Sequence, residues 1–186
     1  MAWHRSFTSL FLRTARKAAL AFAPKSRRLP IKYFFCKLNG GDKELINLNK
    51  IGPNEGIALD VGANIGLFSY RLSQLYEKVY AFEVNTELSR DLTDYKASNV
   101  VIVNKGLSSS ASQLKLFIPI VNGRLLTGWA SLAPGNCPDT DQHLEKIVEV
   151  IALDSMGLEN VRFIKIDVEG HELEVLKGAQ IGRAHV

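Results

Sequence analysis

At 186 residues, with 46% hydrophobic and 23% charged residues, the chain has the make-up of one globular domain with a sizeable core, and it is short for two. Its two cysteines, Cys36 and Cys137, form no C-x-x-C pair and no cluster with the four histidines. That argues against a disulfide framework or a zinc site and for a reducing compartment. Net charge is +4, yet residues 1–41 carry nine Lys or Arg and no acid, while residues 42–186 hold 14 basic and 19 acidic residues. The positive charge is therefore an N-terminal arm on a mildly acidic domain, which speaks against a nucleic-acid partner.

The arm, residues 1–41, is partly amphipathic. Phe7, Leu10, Phe11 and Leu20 recur at loosely helical spacing, with Arg13, Arg16 and Lys17 between them. Three readings stay open: peripheral docking on an anionic membrane surface, a targeting segment, or a lead-in helix whose apolar side packs on the core. Pro24 and Pro30 predict breaks in any long helix here. No apolar run approaches the roughly 20 residues of a membrane span. The expected location is the cytoplasm, at the inner membrane surface if the arm docks.

From residue 42 the expected domain begins. Ile57–Val61 is a short apolar run after the turn-prone Gly52-Pro53-Asn54-Glu55-Gly56 and reads as a buried strand. Ile65–Tyr76 follows as a helix with Leu67, Phe68, Leu72 and Leu75 on one face. Val79–Phe82 predicts a second strand, Thr86–Ala97 a second helix and Val100–Val103 a third strand. Strands separated by helices of this length imply βαβ units and a parallel sheet with helices on both faces. Gln113–Val121 and Ile147–Leu153 then read as two strands with no helix between them, an inserted hairpin. Arg162–Asp167 is a further buried strand, followed by a helix from about Glu169 to Lys177 that Gly178 can end.

Two motifs sit on strand ends. Asp60-Val61-Gly62-Ala63-Asn64-Ile65-Gly66 lies where the first strand passes into a helix, the edge at which open α/β sheets bind ligands. Glycine there lets backbone approach a ligand closely. A GxGxxG fingerprint would need glycine at 62, 64 and 67, but 64 is Asn and 67 is Leu, and GxxxxGK[ST] is absent. The loop, with the backbone of Gly62, Ala63, Asn64 and Gly66, suits a nucleoside without a pyrophosphate, and Asp60 is available to a cationic group. Glu83 closes the second strand 21 residues after Gly62, where an acid can accept hydrogen bonds from ribose hydroxyls. Singly, Asp60 reads as a helix cap and Glu83 as a surface residue; together they point to a ribose-containing cofactor.

These segments, and above all Phe163-Ile164-Lys165-Ile166-Asp167-Val168-Glu169-Gly170-His171-Glu172 with its continuation to Ala179, resemble the FkbM family of methyltransferases. The strand Val150–Asp154 and the patch Trp129-Ala130-Ser131-Leu132 match that family's layout, and the likeness covers about residues 45–179. The resemblance implies a Rossmann-like class I methyltransferase fold and S-adenosylmethionine as cofactor. It also implies O-methylation of a hydroxyl on a sugar, glycan, polyketide or similar small molecule. Asp60, Gly62, Ala63, Asn64, Gly66 and Glu83 are then the cofactor residues, and no metal is expected.

Asp167 and Glu169 end a strand beside that crevice. Either can orient or deprotonate an acceptor hydroxyl, or Asp167 can cap the next helix while Glu169 favours its positive end. His171 is a third catalytic candidate, weighed against a first-turn helix residue. The family fold calls for three more strands after Ala179. Ile181–Val186 reads instead as the codons ATC GGA AGA GCA CAC GTC, a sequencing-adapter run, so the domain is expected to span 42–179, incomplete at its C-terminus, with 180–186 an artefactual tail. Two alternative functions remain: a non-catalytic nucleotide-binding module, and a dinucleotide-dependent oxidoreductase, which Asn64 and Leu67 disfavour.

Overall fold

The structure, a computed structural model, describes residues 2–52, 54–133 and 142–180. Cys137 and the tail at 181–186 lie outside them. The chain opens with helices α1 (Ala2–Phe22) and α2 (Lys25–Leu38). Pro24 separates them, held at φ −53 and ψ 147. The expected second break at Pro30 does not occur: Pro30 lies inside α2, and the helix continues through it. A single turn, α3 (Lys43–Ile46), is capped by Asp42, whose carboxylate accepts from the N–H groups of Glu44 and Leu45.

The alternating part follows. It comprises β1 (Ile57–Val61), α4 (Leu67–Leu72), β2 (Lys78–Phe82), α5 (Arg90–Tyr95) and β3 (Val100–Val103). Next come β4 (Gly106–Leu107), β5 (Ser112–Val121), β6 (Arg124–Leu125), β7 (His143–Ile151), β8 (Val161–Ile166) and α6 (Glu172–Lys177). The main sheet has the order β3-β2-β1-β8, all parallel. The chain runs outward from β1 through β2 to β3, then returns to the other side of β1 as β8. That reversal opens a crevice beyond the carboxyl end of β1, the place where doubly wound sheets take ligands.

Side chains of β1 alternate between two cores. Ala58 packs with Leu45, Leu48, Leu72, Tyr76 and Val79. Leu59 and Val61 pack on the other face with Phe82, Leu107, Leu153 and Val175. Complete burial of Leu59, Leu72 and Leu107 stabilises the fold by roughly 1.5–3 kcal/mol for each side chain. A third cluster joins Leu29 of α2 to Ala63, Ala81 and Leu92, so the second half of the basic N-terminal segment is tied into the core.

The inserted pair is a long antiparallel ladder, running from Ser112 opposite Val150 to Pro119 opposite His143. β7 begins four residues before the expected Ile147, because its whole length finds partners on β5. The three helices inside the α/β part are shorter than their sequence patterns. α4 ends at Leu72, and turns carry Leu75 and Tyr76 into the same core. α5 starts at Arg90, because residues 85–88 form a turn held by Asn85, whose Oδ1 accepts from the Glu87 N–H at 3.3 Å. α6 starts at Glu172, three residues later than expected, since Glu169 (φ 49) and Gly170 (φ 92) adopt left-handed backbone. Gly178 does end α6, but at φ −89 rather than in a left-handed cap. A β-carbon there would lie 2.0 Å from the Ser108 carbonyl oxygen, so close packing accounts for this glycine.

Candidate active site

The crevice at the strand ends has two polar edges and one apolar wall. The loop after β1 supplies Gly62 and Asn64, the end of β2 supplies Phe82 with Glu83 directly after it, and the loop after β8 supplies Asp167, Val168 and Glu169. Leu107, Leu116 and the segment Thr127–Leu132 close the opposite side. Of the nine residues singled out from sequence, Gly62, Asn64, Glu83, Asp167 and Glu169 line this crevice. Asp60, Ala63, Gly66 and His171 are close by in the chain but do not line it.

Glu83 is held by the loops on both sides of it. The Asn64 N–H donates to its Oε2 at 2.7 Å and the Asn85 N–H to its Oε1 at 2.8 Å. Its own N–H continues the sheet to the Val103 carbonyl at 3.1 Å. Burial pushes this carboxyl above the ordinary carboxylate range, the two backbone bonds pull it back, Asp60 pushes it up and Lys165 pulls it down. A carboxylate at the end of a central strand is thus fixed in direction before any ligand arrives.

Gly62 has φ +76, and a β-carbon on it would lie 2.0 Å from the Asp167 carbonyl oxygen. The glycine is therefore required by the close approach of β1 and β8 themselves, a reason the sequence alone did not offer. Asp167 continues the parallel ladder, its N–H donating to the Val61 carbonyl at 3.0 Å. Gly66 has φ +86, and a β-carbon on it would lie 2.8 Å from Leu92 Cβ across the entry to α4.

Asp60 is fully buried beneath the loop. Its Oδ2 accepts from Ser69 Oγ at 2.6 Å, and its Oδ1 lies 3.2 Å from Lys165 Nζ. Asp60 and Lys165 are register partners on adjacent strands. The cationic group beside Asp60 is thus this lysine. Lys165 Nζ also donates to the Gly62 carbonyl at 2.8 Å, lies 3.6 Å from Asp167 Oδ2 and stands 5.1 Å from the Phe68 ring centre. One cation ties the glycine loop, β1 and the acidic strand end together. Sequence reasoning passed over Lys165, although a lysine inside the apolar run Phe163–Ile166 carries its own signal: a charge on a buried strand needs partners.

The loop Asp167–His171 is braced from three directions. Ser131 Oγ donates to the Glu169 carbonyl at 2.5 Å, and Ser131 is itself paired with Phe117 through two backbone hydrogen bonds. Glu172 reaches back, its Oε1 accepting from the N–H groups of Gly170 at 3.0 Å and Val168 at 3.3 Å. No side chain caps the start of α6, where His171 is the N-cap residue, so the capping role considered for Asp167 is not taken up; the Asp167 side chain is 63% exposed at the crevice. His171 is buried, its Nε2 3.1 Å from Ser108 Oγ. Burial lowers the affinity of this imidazole for a proton, against the opposing pull of Glu174 and Glu172. Glu169 is shifted the other way: burial, then Asp167 and Glu172, raise its carboxyl, while Lys165 lowers it. Among the described residues no three His, Cys, Asp or Glu are grouped to hold a metal ion.

The chain is similar to known methyltransferases. The model of the FkbM methyltransferase domain matches residues 60–185. The chain is 33% identical to Methyltransferase sdnD of Sordaria araneosa, over 68% of this chain and 61% of that protein. It is 28% identical to the hexuronic acid methyltransferase AglP of Haloferax volcanii, over 74% of this chain and 56% of that protein. A crystal structure of methyltransferase FkbM from Methylobacillus flagellatus aligns at a TM-score of 0.45 and 18% identity, covering 84% of this chain and 40% of the other. The chain spans 61% and 56% of the length of the two curated relatives. With its match running from the end of β1 through the acidic loop after β8, the chain belongs to the FkbM methyltransferase domain family.

Proposed function

We propose that the protein is an S-adenosylmethionine-dependent O-methyltransferase, acting on a hydroxyl of a sugar, glycan, polyketide or other small molecule. The observation that carries this reading is the convergence of Glu83, Asn64, Asp167 and Glu169 on one crevice at the sheet's reversal point. The family supplies the reaction class, and the Haloferax relative, named for a hexuronic acid, favours a hydroxylated acceptor.

The residues present fit such a cofactor by donor chemistry. Each Glu83 oxygen takes one backbone N–H and keeps lone-pair capacity for a ligand hydroxyl. Asn64 and Gly62 bring backbone to the same edge, and Phe82, Leu107 and Leu116 offer an apolar wall for a base. Two further carboxylates, Asp167 and Glu169, make the open end of the crevice negative, which favours a positively charged group there. When bound, S-adenosylmethionine supplies a methyl group activated on a cationic sulfur. Asp167 orients the acceptor hydroxyl and takes its proton as the new bond forms; Glu169, with its raised proton affinity, is the second candidate base. Alignment contributes as much as basicity, since an alkoxide is scarce near neutral pH.

The test is transfer of labelled methyl from S-adenosylmethionine into a panel of sugars and other hydroxylated small molecules. The expected result is label in an ether linkage, with Asp167→Asn lowering kcat by roughly 10²-fold. Unchanged turnover in that variant would remove Asp167 from the chemistry. Label found only on nitrogen or carboxylate oxygen of the products would overturn O-methylation of a hydroxyl.

A further inference from the structure

Among the described residues, helix α1 leaves a distinct surface exposed. Phe11, Ala15, Ala18 and Phe22 recur at i, i+4, i+7 and i+11, which places them on one side of the helix. Phe11 is 72% exposed and Phe22 91%. By the same geometry Arg13, Arg16 and Lys17 fall on the opposite side, roughly 140–240° around the axis from Phe11. Where α1 rests on α2 there is an open, largely apolar groove lined by Ala19, Ala23, Pro24, Ile31 and Phe34. Phe34 and Leu38, one turn apart on α2, are both more than half exposed. The inner side of α2 is accounted for by Leu29 in the core, Tyr33 against Tyr70, and Lys32 paired with Asp91. Among the described residues the outer side, with Phe34 and Leu38, has no such partner.

The charge on this surface is one-sided. Residues 1–41 contain no acid. Among the described residues, Arg13, Arg16, Lys17, Lys25, Arg27 and Lys37 have no carboxylate within ion-pair distance. The rest of the chain is net acidic, so a negatively charged surface attracts this end and repels the other. Exposed phenylalanines have no polar atom to read a base edge, and here they lie across the helix from the cations rather than among them. That separation of an apolar stripe from a basic flank suits a lipid interface, where acyl chains and phosphates lie at different depths.

We propose that α1 and the outer face of α2 dock on an anionic lipid bilayer. Phe11, Phe22 and Phe34 enter the headgroup–acyl boundary, and the unpaired Lys and Arg side chains reach the lipid phosphates. Among the described residues no helix is long and apolar enough to cross a membrane, so the contact lies in the plane of the interface. The reading is independent of the methyl-transfer chemistry, because lipid binding is measured without cofactor or acceptor.

The test is co-sedimentation of the protein with vesicles of phosphatidylcholine alone and of phosphatidylcholine mixed with phosphatidylserine, at low and high salt. Binding is expected to the mixed vesicles only, and to weaken as salt screens the basic flank. Because Phe11 and Phe22 are exposed, the Phe11→Ser/Phe22→Ser double variant keeps its thermal transition. Its partition onto mixed vesicles falls at least about tenfold. Arg13→Gln/Arg16→Gln/Lys17→Gln falls by a similar factor on mixed vesicles. Equal binding to neutral vesicles, or wild-type partition in the phenylalanine variant, would overturn the proposal. So would tight binding to duplex DNA that depends on the basic residues and ignores the phenylalanines, which would make the arm a nucleic-acid contact.

Discussion

Gly62 illustrates how one position serves the sheet and the site together. A ligand-binding loop explains a glycine by close approach of the ligand, and the sequence supports that reading. The structure adds a tighter constraint, since a β-carbon at 62 would stand 2.0 Å from the Asp167 carbonyl oxygen, at a φ of +76 that side chains rarely adopt. Gly62→Ala is therefore expected to destabilise the fold by at least about 2 kcal/mol, from strain and overpacking together. Urea unfolding without any cofactor reads this directly; a wild-type midpoint would show that β1 and β8 separate easily at this point. Glu83 and Asn64 were legible from spacing, because strand ends and loop lengths fix which residues share an edge. The left-handed backbone at Glu169 was not legible, because nothing local distinguishes it from a helix start until Ser131 and Glu172 hold the loop.

At the scale of elements, the ion pair between β1 and β8 is the joint that positions the acidic loop. Asp60 is wholly buried with Ser69 and Lys165 as its partners. Removing the lysine leaves a carboxylate under the sheet with only a hydroxyl to satisfy it. Lys165→Met is expected to cost about 3–5 kcal/mol, the range for breaking a buried pair by deleting one partner. Asp60→Asn combined with Lys165→Met should recover a large part of that loss, because no uncompensated charge remains. Thermal melts of the two single variants and the double variant check this; additive losses would mean that the two groups do not sense each other. The positions of the buried strands and the inserted hairpin were readable from apolar runs, since a buried strand has little freedom in composition; the order of the strands in the sheet was not. Helix ends were not readable to the same extent: α5 is shortened by the local turn at residues 85–88, α4 by a turn whose Ser73 and Tyr76 carbonyls accept from Asn99, and α6 by a loop held to Ser131.

On the scale of the molecule, two surfaces matter: the crevice where the sheet reverses direction, and the basic helical pair at the N-terminal end. α2 belongs to both the arm and the core, because Leu29 is completely buried against Ala63, Ala81 and Leu92. Leu29→Ala should lower stability by about 2–5 kcal/mol, measured by denaturant unfolding; a change below about 0.5 kcal/mol, as surface substitutions give, would mean that α2 is only loosely attached. Ala63 lies in the loop between β1 and α4, between Gly62 and Asn64, so loosening α2 also loosens the loop that carries these two lining residues. The sequence carried the charge asymmetry of this segment in full. It could not tell which of its apolar residues face inward, because Leu29 and Phe34 are equally apolar and only the packing of α2 on α5 separates them.

The crevice between the Gly62–Asn64 loop and Glu83 is the site proposed for the adenosine end of S-adenosylmethionine. Calorimetric titration with S-adenosylhomocysteine, beside NAD, tests it without any acceptor. Saturable binding of S-adenosylhomocysteine is expected, and none of NAD. Glu83→Ala should weaken that binding by on the order of 2 kcal/mol through loss of charged hydrogen bonds to the ribose. Wild-type affinity in Glu83→Ala, or preferential binding of NAD, would contradict it.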